Sequence, residues 1–138
     1  MTNITLAHSY LRKASDRLDI LDLLHRKRAY SDVIREAQEI VELALKGMLR
    51  LAGVEPPKHH DVGPLLLEHR ARFPKISSEE LENVARISKA LRKERELAFY
   101  GDIDFIPTEE YKEGDAREAI ENTRFVMVVV EKAFEAGR

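Results

Sequence analysis

Apolar residues recur along this chain at three- and four-residue intervals, the spacing that puts side chains on one face of an α-helix. Ala7, Tyr10, Leu11, Ala14, Leu18, Leu21 and Leu24 predict a first helix ending near Arg28. A second is predicted from about Ser31 to Ala52. Val33, Ala37, Ile40, Val41, Ala44, Leu45, Met48 and Leu49 form its apolar face, and Arg35, Glu39, Glu42, Lys46 and Arg50 the opposite one. Gly53 suits the left-handed backbone that stops a helix, and Pro56-Pro57 bar its resumption.

Asp61 is placed to cap a short helix carrying Leu65, Leu66 and Leu67, which must break before Pro74. Ser77 and Glu80 have capping-box spacing, and Ile76 and Leu81 hydrophobic-staple spacing, so a third long helix starts there. It runs to about Tyr100, where Gly101 ends it. A connection from Asp102 to Gly114 follows, anchored by Phe105, Ile106 and Tyr111. The last helix begins near Asp115, or earlier with Thr108 as cap. Its main face is Ala116, Ala119, Ile120, Thr123, Val126, Met127, Val130 and Phe134, while Phe125, Val128 and Val129 project elsewhere.

Helices without strand-like alternation, joined mostly by short connections, predict an all-α fold. The expected form is an antiparallel up-and-down four-helix bundle with one short additional helix, a single domain over residues 1–138. The second apolar face of the last helix needs its own cover, from the short helix or from a second copy; a homodimer is the expectation.

Composition narrows the function. At 138 residues the chain can bury a core without disulfides or metal. With no cysteine, disulfides, thiolate metal sites and cysteine nucleophiles are excluded, and a reducing cytosol is the default compartment. The N-terminus has no secretory pattern. The longest aliphatic run, Phe125 to Val130, is far shorter than the roughly 20 residues that cross a bilayer. A cytoplasmic protein without membrane contact is expected. Lys and Arg number 23 against 25 Asp and Glu, a net charge of −2, so any nucleic-acid contact must use a local patch.

Hydrolase elbows, P-loops and dinucleotide-binding glycine motifs are missing from the sequence. His59-His60-Asp61 contains metal-ligand residue types, but adjacent residues rarely converge on one ion; a loop and helix cap is expected, with no metal and no cofactor. His8 and His69 are scattered, and His25, near a helix end on the apolar face, is expected to be a hydrogen-bonded structural imidazole.

The third long helix breaks the pattern. Its apolar track runs Leu81, Val84, Ala85, Ser88, Leu91 and Ala98, and Arg92 and Arg95 fall on that same stripe. Guanidinium groups there must either pair with carboxylates, Glu36 or Asp22 being candidates, or face a cleft that takes an anion. Arg86, Lys89, Arg92, Lys93 and Arg95 stand against the single acid Glu94, a surplus suited to phosphate although Glu79, Glu80 and Glu82 dilute it.

Three stretches resemble HEPN domains. YSDVIREAQEIVELALKGMLRLAG (Tyr30 to Gly53) followed by KHHDVGPLL (Lys58 to Leu66) is similar to the family's second helix and following loop. RELAFYGDIDFIPTEEYKEGDAREAI (Arg95 to Ile120) is similar to its third-helix exit and entry into the last helix. The resemblance implies a four-helix bundle, usually dimeric, also seen in the C-terminal part of kanamycin nucleotidyltransferase. Many members are encoded beside a minimal nucleotidyltransferase as toxin and antitoxin, and many are metal-independent endoribonucleases. Their signature is an Arg followed after four to six residues by His, near the dimer cleft. Arg95 matches the Arg, and the His position falls at Tyr100. An imidazole exchanges protons near neutral pH, whereas a tyrosine hydroxyl has an ordinary pKa of about 10, which argues against cleavage by the usual route.

Residue pattern and resemblance together make the first expectation a dimeric binding module engaging a nucleotide, RNA or a partner nucleotidyltransferase through Arg92, Arg95, Tyr100 and Asp102. If catalysis persists, Arg95 and Tyr100 are its candidates. An active endoribonuclease toxin is the second expectation, and a structural scaffold with Arg92 and Arg95 in core ion pairs the third.

Overall fold

In the computed structural model, which describes residues 2–58 and 61–136, the predicted periodicities become helices close to their expected limits. These are α1 (Thr2–Arg26), α2 (Tyr30–Leu51), α3 (Gly63–Glu68), α4 (Ser78–Phe99), α5 (Pro107–Glu110) and α6 (Glu113–Ala136), with a 3₁₀ turn at Arg70–Arg72. The all-α expectation holds.

Cross-chain pairs fix the directions of the four long helices. At one end, Asn3 of α1 accepts from Arg50 of α2, the His8 ring meets Phe134 of α6 edge-on at 5.1 Å, and Lys132 of α6 bonds Glu80 of α4. At the other, His25 of α1 lies 2.8 Å from Glu113 of α6, and the Tyr111 hydroxyl before α6 donates to Glu94 of α4. The long helices therefore run alternately up and down. α2 packs against α1, α4 and α6, which explains why its apolar face is buried almost without interruption. Ala7, Ala14 and Leu21 of α1 are buried at seven-residue spacing, a seam narrow enough for α1 to lie along α2. Fully burying one leucine of this core, such as Leu45 or Leu81, stabilises by about 1.5–3 kcal/mol.

Helix ends follow the predicted chemistry. Ser77 and Glu80 close the capping box from both sides. Gly53 (φ +79°) and Gly101 (φ +67°) take the left-handed backbone that terminates α2 and α4. Asp61, expected as the cap of α3, instead lies one residue before the N-cap Val62; its carboxylate accepts from the Gly63 backbone N–H and from the Ser88 hydroxyl, both at 3.1 Å. That second bond explains how the polar Ser88 sits buried on α4.

Three expectations need correction. The Asp102–Gly114 connection is not helix-free: Pro107 starts α5, where its missing N–H costs nothing, and Thr108 lies inside that helix rather than capping α6. Among the described residues there are accordingly two short α-helices where one was expected. α6 begins at Glu113, with the Asp115 carboxylate accepting from the Lys112 N–H in the manner of a capping box. Val129 does not project away from the core. It is fully buried, because α6 packs against α2, α4 and α1 and so uses more than one face within the chain. Val128 stays 56% exposed.

The ion pairs at the bundle ends set an acid limit. Glu113 is held below the usual carboxylate range by its bond with His25 and then by Arg117; Glu80 is held down by Lys132 and then by the Ser77 backbone. A carboxyl whose folded pKa is depressed binds fewer protons folded than unfolded. Its stabilisation is complete above the unfolded value of about 4.3 and is lost as pH falls through the lower folded value. Urea unfolding between pH 7 and 3 is expected to show stability falling at the acid end, and falling less steeply in a Glu80→Gln/Glu113→Gln variant. Parallel profiles for the two proteins would exclude these carboxyls as the cause.

Candidate functional site

Arg95 occupies a core position by register. On α4 it follows Leu91 by four residues and precedes Ala98 by three, and both neighbours are buried, so its stem leaves the helix towards the bundle. Its Nε is buried without a hydrogen-bond partner, and among the described residues no carboxylate pairs with it. The half-buried side chain lines a surface pocket of about 460 Å³ together with Lys58, Arg92, Glu42 and Glu96. Long basic side chains behave this way when the stem packs and the head reaches solvent.

Arg92 has the opposite circumstance. Its Nη1 donates to Glu42 Oε1 at 3.2 Å, across the α2–α4 seam. Glu42 also accepts from Gln38 at 3.0 Å and from Lys46 at 3.3 Å, so the carboxylate is shared among three donors. The acids proposed for this role are engaged elsewhere: Glu36 with Arg17 at 2.8 Å and Asp22 with Arg124 at 2.9 Å. Both sit further towards the α1 side of the bundle, which explains why sequence spacing alone misassigned them. The pocket therefore holds three cations and two acids, one of the acids already committed.

A buried polar group without a partner is unfavourable unless water or a ligand completes it. A phosphate oxygen or carboxylate is the complement that Arg95 and Lys58 supply with donors, since guanidinium presents a planar fork and ammonium a rotatable charge.

The other basic residues do not join this pocket. Arg86 turns to a separate 410 Å³ pocket between α4 and α6, whose acids are Glu94, Glu110, Asp115 and Glu118. Lys89 and Lys93 are exposed. Burial, and then the bond to Glu94, pushes the Tyr111 hydroxyl in that pocket above its ordinary pKa.

Tyr100 caps the C-terminal end of α4 and is 72% exposed, its ring perpendicular to that of Phe99 at 4.9 Å. Asp102 starts a tight turn, exchanging two backbone hydrogen bonds with Phe105 while its carboxylate accepts from the Ile103 N–H at 2.7 Å. Arg92 and Arg95 are thus brought together in one pocket; Tyr100 and Asp102 lie beyond it, at the helix exit. His25 is hydrogen-bonded, as expected of a structural imidazole. His59 and His60 lie outside the described residues; among those described, no group of three or more potential ligand side chains gathers to hold a metal. No described helix is long and apolar enough to cross a membrane.

Sequence reasoning missed Lys58, Glu42 and Glu96 at this site. Lys58 stood beside the conspicuous histidine pair, and Glu42 read as one acid of a solvated face. The only available signal for Glu42 was its place opposite a stripe carrying two arginines.

Sequence comparison assigns this up-and-down helical bundle to a class. The sequence model of the HEPN domain family matches residues 7–133, nearly the whole length, and the chain belongs to that family. A search of the curated proteins finds no match.

Proposed function

We propose that this HEPN domain is a binding module that takes a phosphate group of a nucleotide or RNA in the Arg95–Lys58–Arg92 pocket. The observation that carries the reading is the Arg95 guanidinium, at a core position with a buried, partnerless Nε and, among the described residues, no carboxylate in an ion pair with it. Membership of the family supports a nucleotide- or RNA-related role for such a pocket. Tyr100 in place of the family's histidine favours binding over cleavage, since an ordinary tyrosine hydroxyl is a poor proton acceptor near neutral pH. The exposed Val128, beside half-buried Phe125, and the family itself support pairing with a second copy. A minimal nucleotidyltransferase as partner rests on the resemblance alone.

The test is titration of a labelled short RNA without divalent metal, read by fluorescence anisotropy, with pyrophosphate as competitor. Saturable binding that pyrophosphate displaces is the expected result, with the RNA intact. Absence of binding at low salt would overturn the reading. Cleavage that Arg95→Ala and Tyr100→Phe both suppress would replace it with the endoribonuclease reading.

Glu42 gives the pocket a second, opposite-signed prediction. Glu42→Gln keeps an acceptor oxygen for Arg92 and Gln38, loses the one Lys46 uses, and removes a negative charge from the pocket wall. RNA affinity is expected to rise about three- to tenfold, while the unfolding free energy falls by about 1 kcal/mol, the scale of a half-exposed ion pair. Lower affinity in a folded variant would mean that Glu42 positions Arg92 for the ligand.

A further inference from the structure

The chain between α3 and α4 shapes a cavity at the end of the bundle where Arg50 meets Asn3 and Lys132 meets Glu80. Here the backbone turns twice: the Phe73 N–H donates to the Arg70 carbonyl and the Ile76 N–H to the Phe73 carbonyl, both at 3.0 Å. These turns bury Phe73 and Ile76 beside Leu51, at the end of α2, and the buried Ala133 of α6. Between them lies a pocket of about 260 Å³. Its charged lining residues are Arg72 and Lys75, with no acid. Arg72 commits Nη1 to the Ala52 carbonyl at the close of α2, and Lys75 is exposed. Among the described residues neither cation is in an ion pair. Water fills such a space poorly, because an ordered water needs several polar partners and the side chains of Phe73, Ile76 and Ala133 offer none. Apolar walls with a few placed polar groups are the composition of small-molecule sites, and the volume lies a little below the roughly 300–1,000 Å³ that drug-sized ligands occupy.

From this arrangement we infer that the pocket is a binding site for a small organic carboxylate. The hydrocarbon body, one ring or a short chain, lies against Phe73, Ile76 and Ala133, and the carboxylate is held by Arg72 and Lys75. Both halves of the ligand are required by the lining. An inorganic anion would leave the apolar wall against water, and a neutral hydrocarbon would leave two cations without a counter-charge. The guanidinium of Arg72 keeps donors for the carboxylate beyond the one given to Ala52, and the Lys75 ammonium adds a rotatable charge. The site is separate from the phosphate pocket, with which it shares no lining residue. Its occupant touches the end of α2, the turn before α4 and α6 at once, so binding ties three segments together and stabilises the fold.

The experiment titrates the full chain with three probes and follows its backbone amide resonances by NMR: benzoate, benzyl alcohol, which has the ring without the charge, and acetate, which has the charge without the ring. Benzoate is expected to bind saturably with a Kd of about 1 mM or tighter, the range open to so small a ligand. The shifted amides should be those around Leu51, Phe73, Ile76 and Ala133. Benzyl alcohol and acetate are expected to bind at least tenfold more weakly. Lys75→Gln, at an exposed position, should weaken benzoate about three- to tenfold, the scale of one exposed charge contact, and leave benzyl alcohol unchanged. Ala133→Leu should fill the pocket and abolish benzoate binding. Absence of saturable shifts with benzoate in wild type, or shifts centred on other residues, would overturn the site. Equal affinity for benzoate and benzyl alcohol would overturn the carboxylate, as would unchanged benzoate affinity in Lys75→Gln. Benzoate binding retained by Ala133→Leu would place the ligand outside the pocket and overturn the inference as well.

Discussion

Gly101→Ala is expected to destabilise the protein by about 3 kcal/mol, the largest cost of any single-methyl change at the exit of α4. Two effects combine. The backbone at Gly101 has φ +67°, a conformation that costs other residues about 1–2 kcal/mol. A Cβ there would also come within 2.4 Å of the Phe105 carbonyl oxygen and 2.6 Å of Pro107 Cδ. Neither atom is the far end of a flexible side chain, so the 102–107 turn must move, and with it the paired backbone bonds of Asp102 and Phe105. Urea or thermal unfolding checks this, with a fall in Tm of roughly 10 °C for a chain of this size. A variant as stable as wild type would mean that the turn rearranges freely.

Arg95→Glu is expected to abolish RNA binding while leaving the fold in place. A hydrogen bond to a charged group contributes about 1.5–3 kcal/mol, so losing the guanidinium alone weakens binding about ten- to hundredfold, and reversing its charge adds repulsion. Because no carboxylate is left behind in the core, the unfolding free energy should change by less than about 1 kcal/mol. Arg92→Ala sets the contrast: it strips Glu42 of a partner and should cost stability as well as affinity. Anisotropy and urea titration of the same preparations separate the two outcomes. A collapse of stability in Arg95→Glu with unchanged affinity in Arg95→Lys would make Arg95 an architectural residue.

The contrast also shows what could be read from the chain without its structure. Local signals were sufficient where the physics is local: the Ser77–Glu80 box, the stops at Gly53 and Gly101, and the α2 stripe all lie within a few residues of what they control. They were insufficient at Arg28, a non-glycine with φ +61° at the end of α1, because nothing in its side chain announces a left-handed turn. Val129 was misplaced for a different reason. A helix touching three neighbours has no single inner face, and periodicity along one helix cannot count its neighbours. The stripe on α4 marked both arginines as anomalous but not as different from each other. That difference depends on Glu42, fifty residues away in sequence, which reaches Arg92 and leaves Arg95 to the pocket. Asp61 was legible as a residue at the start of α3, although Val62 takes the N-cap position; its bond to Ser88 was not legible, since that bond requires α3 to lie against α4.

The central claim is that Arg95 is an unpaired cation aimed at a phosphate. The most direct measurement is the salt dependence of affinity for a short single-stranded RNA, wild type against Arg95→Ala. Each neutralised phosphate contributes about 0.7 to the slope of log affinity against log salt for single strands. The Arg95→Ala slope is expected to be shallower by about that amount, with weaker binding at low salt. Coincident slopes and affinities would contradict the claim and return Arg95 to the scaffold.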